Sequence, residues 1–158
     1  MRSHTFRVLA VALLAAAFGL LQAQAKPNFS GSWKLNTAKS DFGAMPAPDT
    51  RNDKIVHADP GLTDSFTQSG PRGELAAEMK YSTDGKETTN SLRGNQIVSI
   101  AKWEGDELVI AAKTSMQGAD ITFTDRWSLS ADGNTLTIQR HAVSPLGETD
   151  QKILLEKQ

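Results

Sequence analysis

From residue 29 onward the chain alternates apolar and polar positions in short segments rich in Val, Ile, Thr and aromatic residues, and a turn-forming pair ends each segment after a few residues. A period of two sends successive side chains to opposite faces of a strand. A helix of any length would break that pattern. The sequence therefore predicts an all-β chain of ten strands at 29–35, 53–57, 62–69, 75–81, 87–92, 96–103, 107–114, 121–129, 135–143 and 151–157.

Each turn fixes which residues face one another, so a proposed hairpin must bring the apolar sets of its two strands to the same face. A turn centred on Gly105 and Asp106 sets Trp103 opposite Leu108 and Ala101 opposite Ile110. One centred on Asp132 and Gly133 sets Leu129 opposite Leu136 and Trp127 opposite Ile138. With Asp84 and Gly85 central, Tyr81 faces Thr88 and Met79 faces Asn90, while Pro60 and Gly61 would put Ile55 opposite Phe66. Successive hairpins with short connections favour an up-and-down meander of about eight to ten strands closed into a barrel, which removes exposed sheet edges. A two-sheet sandwich is the alternative. The one longer connection, 36–52, contains Pro46 and Pro48; these leave room for a single helical turn before Gly43, in either a lid or a surface loop.

Composition narrows the function. There is no cysteine, which excludes a disulfide scaffold, a thiolate metal site and a cysteine nucleophile. Arg2 and Arg7, the uncharged run 8–21 and the small residues Ala23 and Ala25 match an export signal cleaved after Ala25. The run is shorter than the roughly 20 residues that span a bilayer, and no later stretch approaches that length. The expected organisation is a signal peptide at 1–25 and one domain at 26–158, periplasmic or secreted from a bacterium, with no membrane span after cleavage. Losing Arg2 and Arg7 takes the formal net charge from −1 to about −3, so there is no basic field for nucleic acid. A monomer without cofactor is expected, and a protein partner is not specified.

Phe29, Ser30, Gly31, Ser32, Trp33, Lys34, Leu35 and Asn36 resemble the opening strand of the calycins, the group that holds lipocalins and fatty-acid-binding proteins, with Gly31 and Trp33 matching their G-x-W signature. The resemblance implies a ligand-holding barrel. It also implies structural roles for Gly31 and Trp33, with a basic side chain, Arg140 or Lys157, laid over the indole. The ending 152–157 is similar to the last strand of fatty-acid-binding proteins. Three features depart from the pattern. The 36–52 segment is too short and proline-broken for a helix-turn-helix lid. The Arg-x-Tyr carboxylate grip would fall at Arg140, His141 and Ala142, where the tyrosine is missing. No helix follows the last strand as it does in lipocalins.

Two constellations could carry chemistry. The register that pairs Trp127 with Ile138 also sets Asp125 opposite Arg140 on the apolar face, where they form either a buried ion pair or, with Asp125 orienting Arg140, a grip on an anionic head group. His57 and Asp64 would face each other across the Pro60–Gly61 turn like part of a catalytic triad, but no nucleophile accompanies them, so no catalytic residue is nominated. His57 and His141 lack a companion at metal-ligand spacing, and no metal site is nominated. The inward set mixes bulky Phe66, Met79, Tyr81, Trp103, Leu108, Phe123 and Trp127 with small or polar Ala77, Thr88, Asn90, Ser99, Ala101, Ala112 and Thr114, which leaves space for a ligand. The candidate binding residues are Arg140, Asp125, Phe66, Tyr81, Trp103, Phe123 and Trp127, and the expected function is non-enzymatic binding of a small hydrophobic or amphipathic molecule. The alternative is a cell-envelope structural or protein-interaction module with a packed core.

Overall fold

The computed structural model describes residues 25–158; residues 1–24, which hold all but the last residue of the expected export signal, lie outside the described residues. Ten strands follow one another: β1 Gly31–Leu35, β2 Thr50–Ala58, β3 Gly61–Ser69, β4 Leu75–Ser82, β5 Asp84–Leu92, β6 Asn95–Glu104, β7 Glu107–Met116, β8 Ala119–Leu129, β9 Thr135–Ser144 and β10 Gly147–Lys157. They form one antiparallel sheet in the order β4-β3-β2-β1-β10-β9-β8-β7-β6-β5, curled into a barrel. The expected registers hold at Trp103 with Leu108, Ala101 with Ile110, Leu129 with Leu136 and Trp127 with Ile138. The sandwich alternative is not adopted.

Two hairpins differ from expectation. The turn after β2 centres on Asp59 and Pro60, so Ala58 faces Gly61, Ile55 faces Asp64 and Phe66 faces Asp53. Moving the turn by one residue shifts each partner by two, so every side chain keeps its face. The second difference lies at the seam between β4 and β5, the two ends of the sheet order. Tyr81 and Met79 have their ladder partners on β3, and Thr88 and Asn90 have theirs on β6. Across the seam the Asn90 side chain acts as a rung, donating to the Lys80 carbonyl at 2.9 Å and accepting from the Lys80 N–H at 2.8 Å. The barrel is thus nearly closed.

Its interior divides into halves. At the end near Gly31, Phe29, Trp33, Ile55, Leu62, Leu108, Trp127, Leu136, Ile138, Ile153 and Leu155 pack into one apolar core. The segment before β1 plugs that end. Phe29 lies parallel to His57 and Trp103 and edge-on to Trp127, with centroids 5.6, 5.8 and 5.7 Å away. His57 holds the plug in place: its Nδ1 accepts from the Phe29 N–H at 3.2 Å, which puts its proton on Nε2, 2.9 Å from Asp59 Oδ1. Gly31 has φ of +147°, and a Cβ there would meet Lys157 Cε at 3.0 Å. Its missing side chain lets Lys157 cross the Trp33 indole, with Nζ 5.4 Å from the ring centroid. Lys157, rather than Arg140, is therefore the cation over Trp33.

At the other end, the 36–49 connection begins with a single helical turn, Thr37–Lys39, capped by Asn36. It then runs beside β10, where Asp41 pairs with Lys152, and reaches the start of β2 by way of Pro48, packed against Gly70. The connection forms a side wall and rim, not a helical lid.

Candidate functional site

The boundary between the two halves is a layer of buried charge. Side chains two apart on a strand share a face, so Arg51 and Asp53 of β2 both point inward, as do Asp64 of β3, Asp125 of β8 and Arg140 of β9. Arg140 donates from Nε to Asp125 Oδ1 at 2.7 Å and from Nη2 to Oδ2 at 2.6 Å, a two-pronged pair in the register expected for these residues. Arg51 binds Asp53 in the same way, with Nε 2.9 Å from Oδ1 and Nη2 2.6 Å from Oδ2, and its Nη2 stands 3.8 Å from Asp64 Oδ2. Each guanidinium also lies against a phenylalanine, Arg51 at 4.7 Å from the Phe66 centroid and Arg140 at 5.3 Å from that of Phe123.

Burial opposes the positive charge of both arginines, and their carboxylate partners more than compensate, holding both guanidinium pKa values above the usual range. Asp64 fares differently. Burial first, then the neighbouring Asp53, push its carboxyl up to about 7 against the pull of Arg51, and its Oδ1 has no hydrogen-bond partner among the described residues. Tyr81 is pushed upward by burial and by the charges of Asp125 and Asp64.

Burial changes across this layer on several strands. On β8, Trp127 and Asp125 are buried, whereas Phe123 and Ile121 are half-buried; on β9, Leu136 and Ile138 give way to Arg140 and Ala142. On β10, Leu155 and Ile153 give way to Gln151 and Thr149, and on β3, Leu62 and Asp64 to Phe66 and Gln68. The registers explain the open space: Phe123 sits between Ala112 and Ala142, and Phe66 has Ala77 beside it. The rings stand among short neighbours, and 32% of the Arg140 side chain stays exposed.

Of the seven expected binding residues, Arg140, Asp125, Phe66 and Phe123 come together at this boundary. Tyr81 lies just below, edge-on to Trp127 with centroids 6.3 Å apart. Trp103 and Trp127 belong to the packed end against Phe29, away from the open half. The facing pair of His57 and Asp64 does not form; His57 stands opposite Leu62 and is bound to the plug. Arg51 and Asp53 are the site residues that the sequence reading missed: it began this strand at residue 53, three residues after its start at Thr50, which left Arg51 outside and Asp53 at the strand's end. Extending the alternation of Asp53, Ile55 and His57 back to Arg51 would have found them. Among the described residues no cluster of three or more His, Cys, Asp or Glu is placed to hold a metal ion. A groove of about 410 Å³ beside β8 to β10 is lined by Asp41, Thr124, Arg126, Gln139, His141, Asp150 and Lys152 together with Arg140 and Gln151.

A ten-stranded meander with one unpaired seam defines the fold: this is a fatty-acid-binding-protein-like β-barrel. The zebrafish ileal bile acid-binding protein, solved with cholic acid, is similar with a TM-score of 0.57 and 19% identity over 82% of this chain and 98% of its own. A secretory abundant heat soluble protein of Ramazzottius varieornatus gives 0.59 and 15% over 82% and 94%, and human cRBP IV gives 0.50 and 15% over 81% and 98%. No protein-family model matches the chain, and no curated protein matches its sequence.

Proposed function

We propose that the protein is an exported, non-enzymatic binder of a small hydrophobic or amphipathic molecule, held in the open half of the barrel with its apolar part against Phe66 and Phe123 and its polar part near Arg140. The observation that carries this reading is the change from buried to half-buried inward side chains at the charged layer. A packed end and an open end give a container with a floor. Apolar rings set among alanines offer surface to a tail, and burying a tail there is favourable at roughly 25 cal/mol per Å² removed from water. The likeness to a barrel solved with cholic acid supports the same reading at the level of fold.

The reading is tested by native mass spectrometry of the protein purified without detergent from a bacterial periplasm. A co-purifying lipid or other small molecule at near-unit occupancy is the expected result. A bare mass, with no change in tryptophan fluorescence across a panel of fatty acids, fatty alcohols and isoprenoids, would reject it in favour of an envelope interaction module, the reading that the densely packed end favours.

A further inference from the structure

Resting on the binding reading above, we propose that the open half selects an uncharged ligand whose polar group accepts hydrogen bonds, such as a fatty alcohol, ketone or ester, and discriminates against carboxylates. The charges that face the interior near its floor are Arg51 and Arg140 against Asp53, Asp64 and Asp125. Both arginines are already held in two-pronged pairs, by Asp53 and by Asp125. No net positive charge is left over for an incoming anion, and the layer does not readily ionise even its own third carboxylate, since Asp64 is pushed up to about 7. A ligand carboxylate placed here would lose its hydration and gain only cations that are already shared, which favours its neutral form or its exclusion.

Hydrogen-bond donors nevertheless remain. Arg140 spends Nε and Nη2 on Asp125, while its Nη1 makes no hydrogen bond among the described residues, and a third of its side chain is exposed. An uncharged oxygen can take those N–H groups without competing with Asp125 for the charge. The resulting hydrogen bond to a charged donor is stronger than one between neutral groups.

The experiment compares dodecanol with dodecanoate, equal in chain length and different in head group, by isothermal titration calorimetry at pH 8. Dodecanol is expected to bind roughly tenfold tighter or more, a difference of about 1.4 kcal/mol. Dodecanoate binding as tightly as dodecanol, or more tightly, overturns the inference while leaving the binding reading in place. Binding of neither rejects the binding reading and the inference with it. Asp125→Asn then releases the charge of Arg140. Provided circular dichroism shows that the variant folds, dodecanoate should gain on dodecanol by roughly tenfold. An unchanged ratio would overturn the assignment of Asp125 as the group that excludes the acid. If the variant does not fold, the wild-type comparison alone decides.

Discussion

Asp64 shares Arg51 with Asp53, but unequally: Asp53 Oδ2 holds the guanidinium at 2.6 Å and Asp64 Oδ2 stands at 3.8 Å. The groups acting on it are Arg51 and Asp53 from β2 and Arg140 from β9, with Tyr81 of β4 close enough to be influenced in turn. Its folded pKa of about 7 lies above the ordinary carboxylate value of 3.8. Between these two values the folded chain keeps a proton that the unfolded chain has released, so stability falls as pH rises through that window. Urea midpoints measured at pH 5 and pH 8 should therefore drop for the wild type and drop much less for Asp64→Asn. Equal drops in both would reject the assignment. His141, also raised by Asp150 and exposed, acts in the same direction in wild type and variant and cancels in the comparison. The Arg140 pair carries a second prediction. Arg140→Met strands Asp125 without a partner and should destabilise by about 3–5 kcal/mol, whereas replacing both residues with apolar ones should recover most of that loss. Urea denaturation of the single and double variants checks it.

Among the elements, the plug and the seam carry closure at opposite places. Phe29 is fully buried and sits against three aromatic rings, so Phe29→Ala should cost about 3–5 kcal/mol in urea-unfolding stability. At the seam one side chain supplies two hydrogen bonds to Lys80. Asn90→Ala should cost about 1–3 kcal/mol and speed hydrogen exchange at the Lys80 amide, with little change in the β6 to β9 ladders. The strands themselves were legible in the sequence because short turns fix register locally: Gly105–Asp106 joins Glu104 to Glu107, and the short 130–134 connection sets Leu129 opposite Leu136, a register that carried Asp125 to Arg140 with no tertiary information. Neither the plug nor the seam was. Phe29 continues the alternation of β1, so nothing local separates it from a strand residue. The Asp84–Gly85 chemistry is the same whether the flanking strands pair or splay, and the choice is made by how ten strands close around their contents. His57 and Asp64 were paired wrongly for a third reason: Asp59, Pro60 and Gly61 offer two possible turn centres, and only the packed barrel selects between them.

Over the whole molecule, packing density changes along the barrel axis, and the charged layer marks the change. Below it a continuous apolar core is sealed by Phe29; above it the inward side chains of β3 and β8 to β10 are half-buried, those of β6 and β7 such as Ile97 and Thr114 stay buried, and the 36–49 connection runs along the wall beside β10. Local stability follows burial of apolar contacts. Amide exchange should therefore be slowest around Leu108, Ile138 and Leu155, and faster at residues 41–49, 119–123 and 142–149, although the same strands run through both regions. A bound ligand adds contacts only to the open half and stabilises the folded state by mass action, by about 2.7 kcal/mol when its concentration is a hundredfold above the dissociation constant. Hydrogen exchange measured with and without dodecanol should accordingly show new protection at Phe66, Phe123 and Arg140 and along the 36–49 wall. The amides around Trp103 and Phe29 should change only as far as global unfolding contributes to their exchange. New protection concentrated instead at the plugged end would mean that the ligand displaces Phe29 and that the two halves exchange roles.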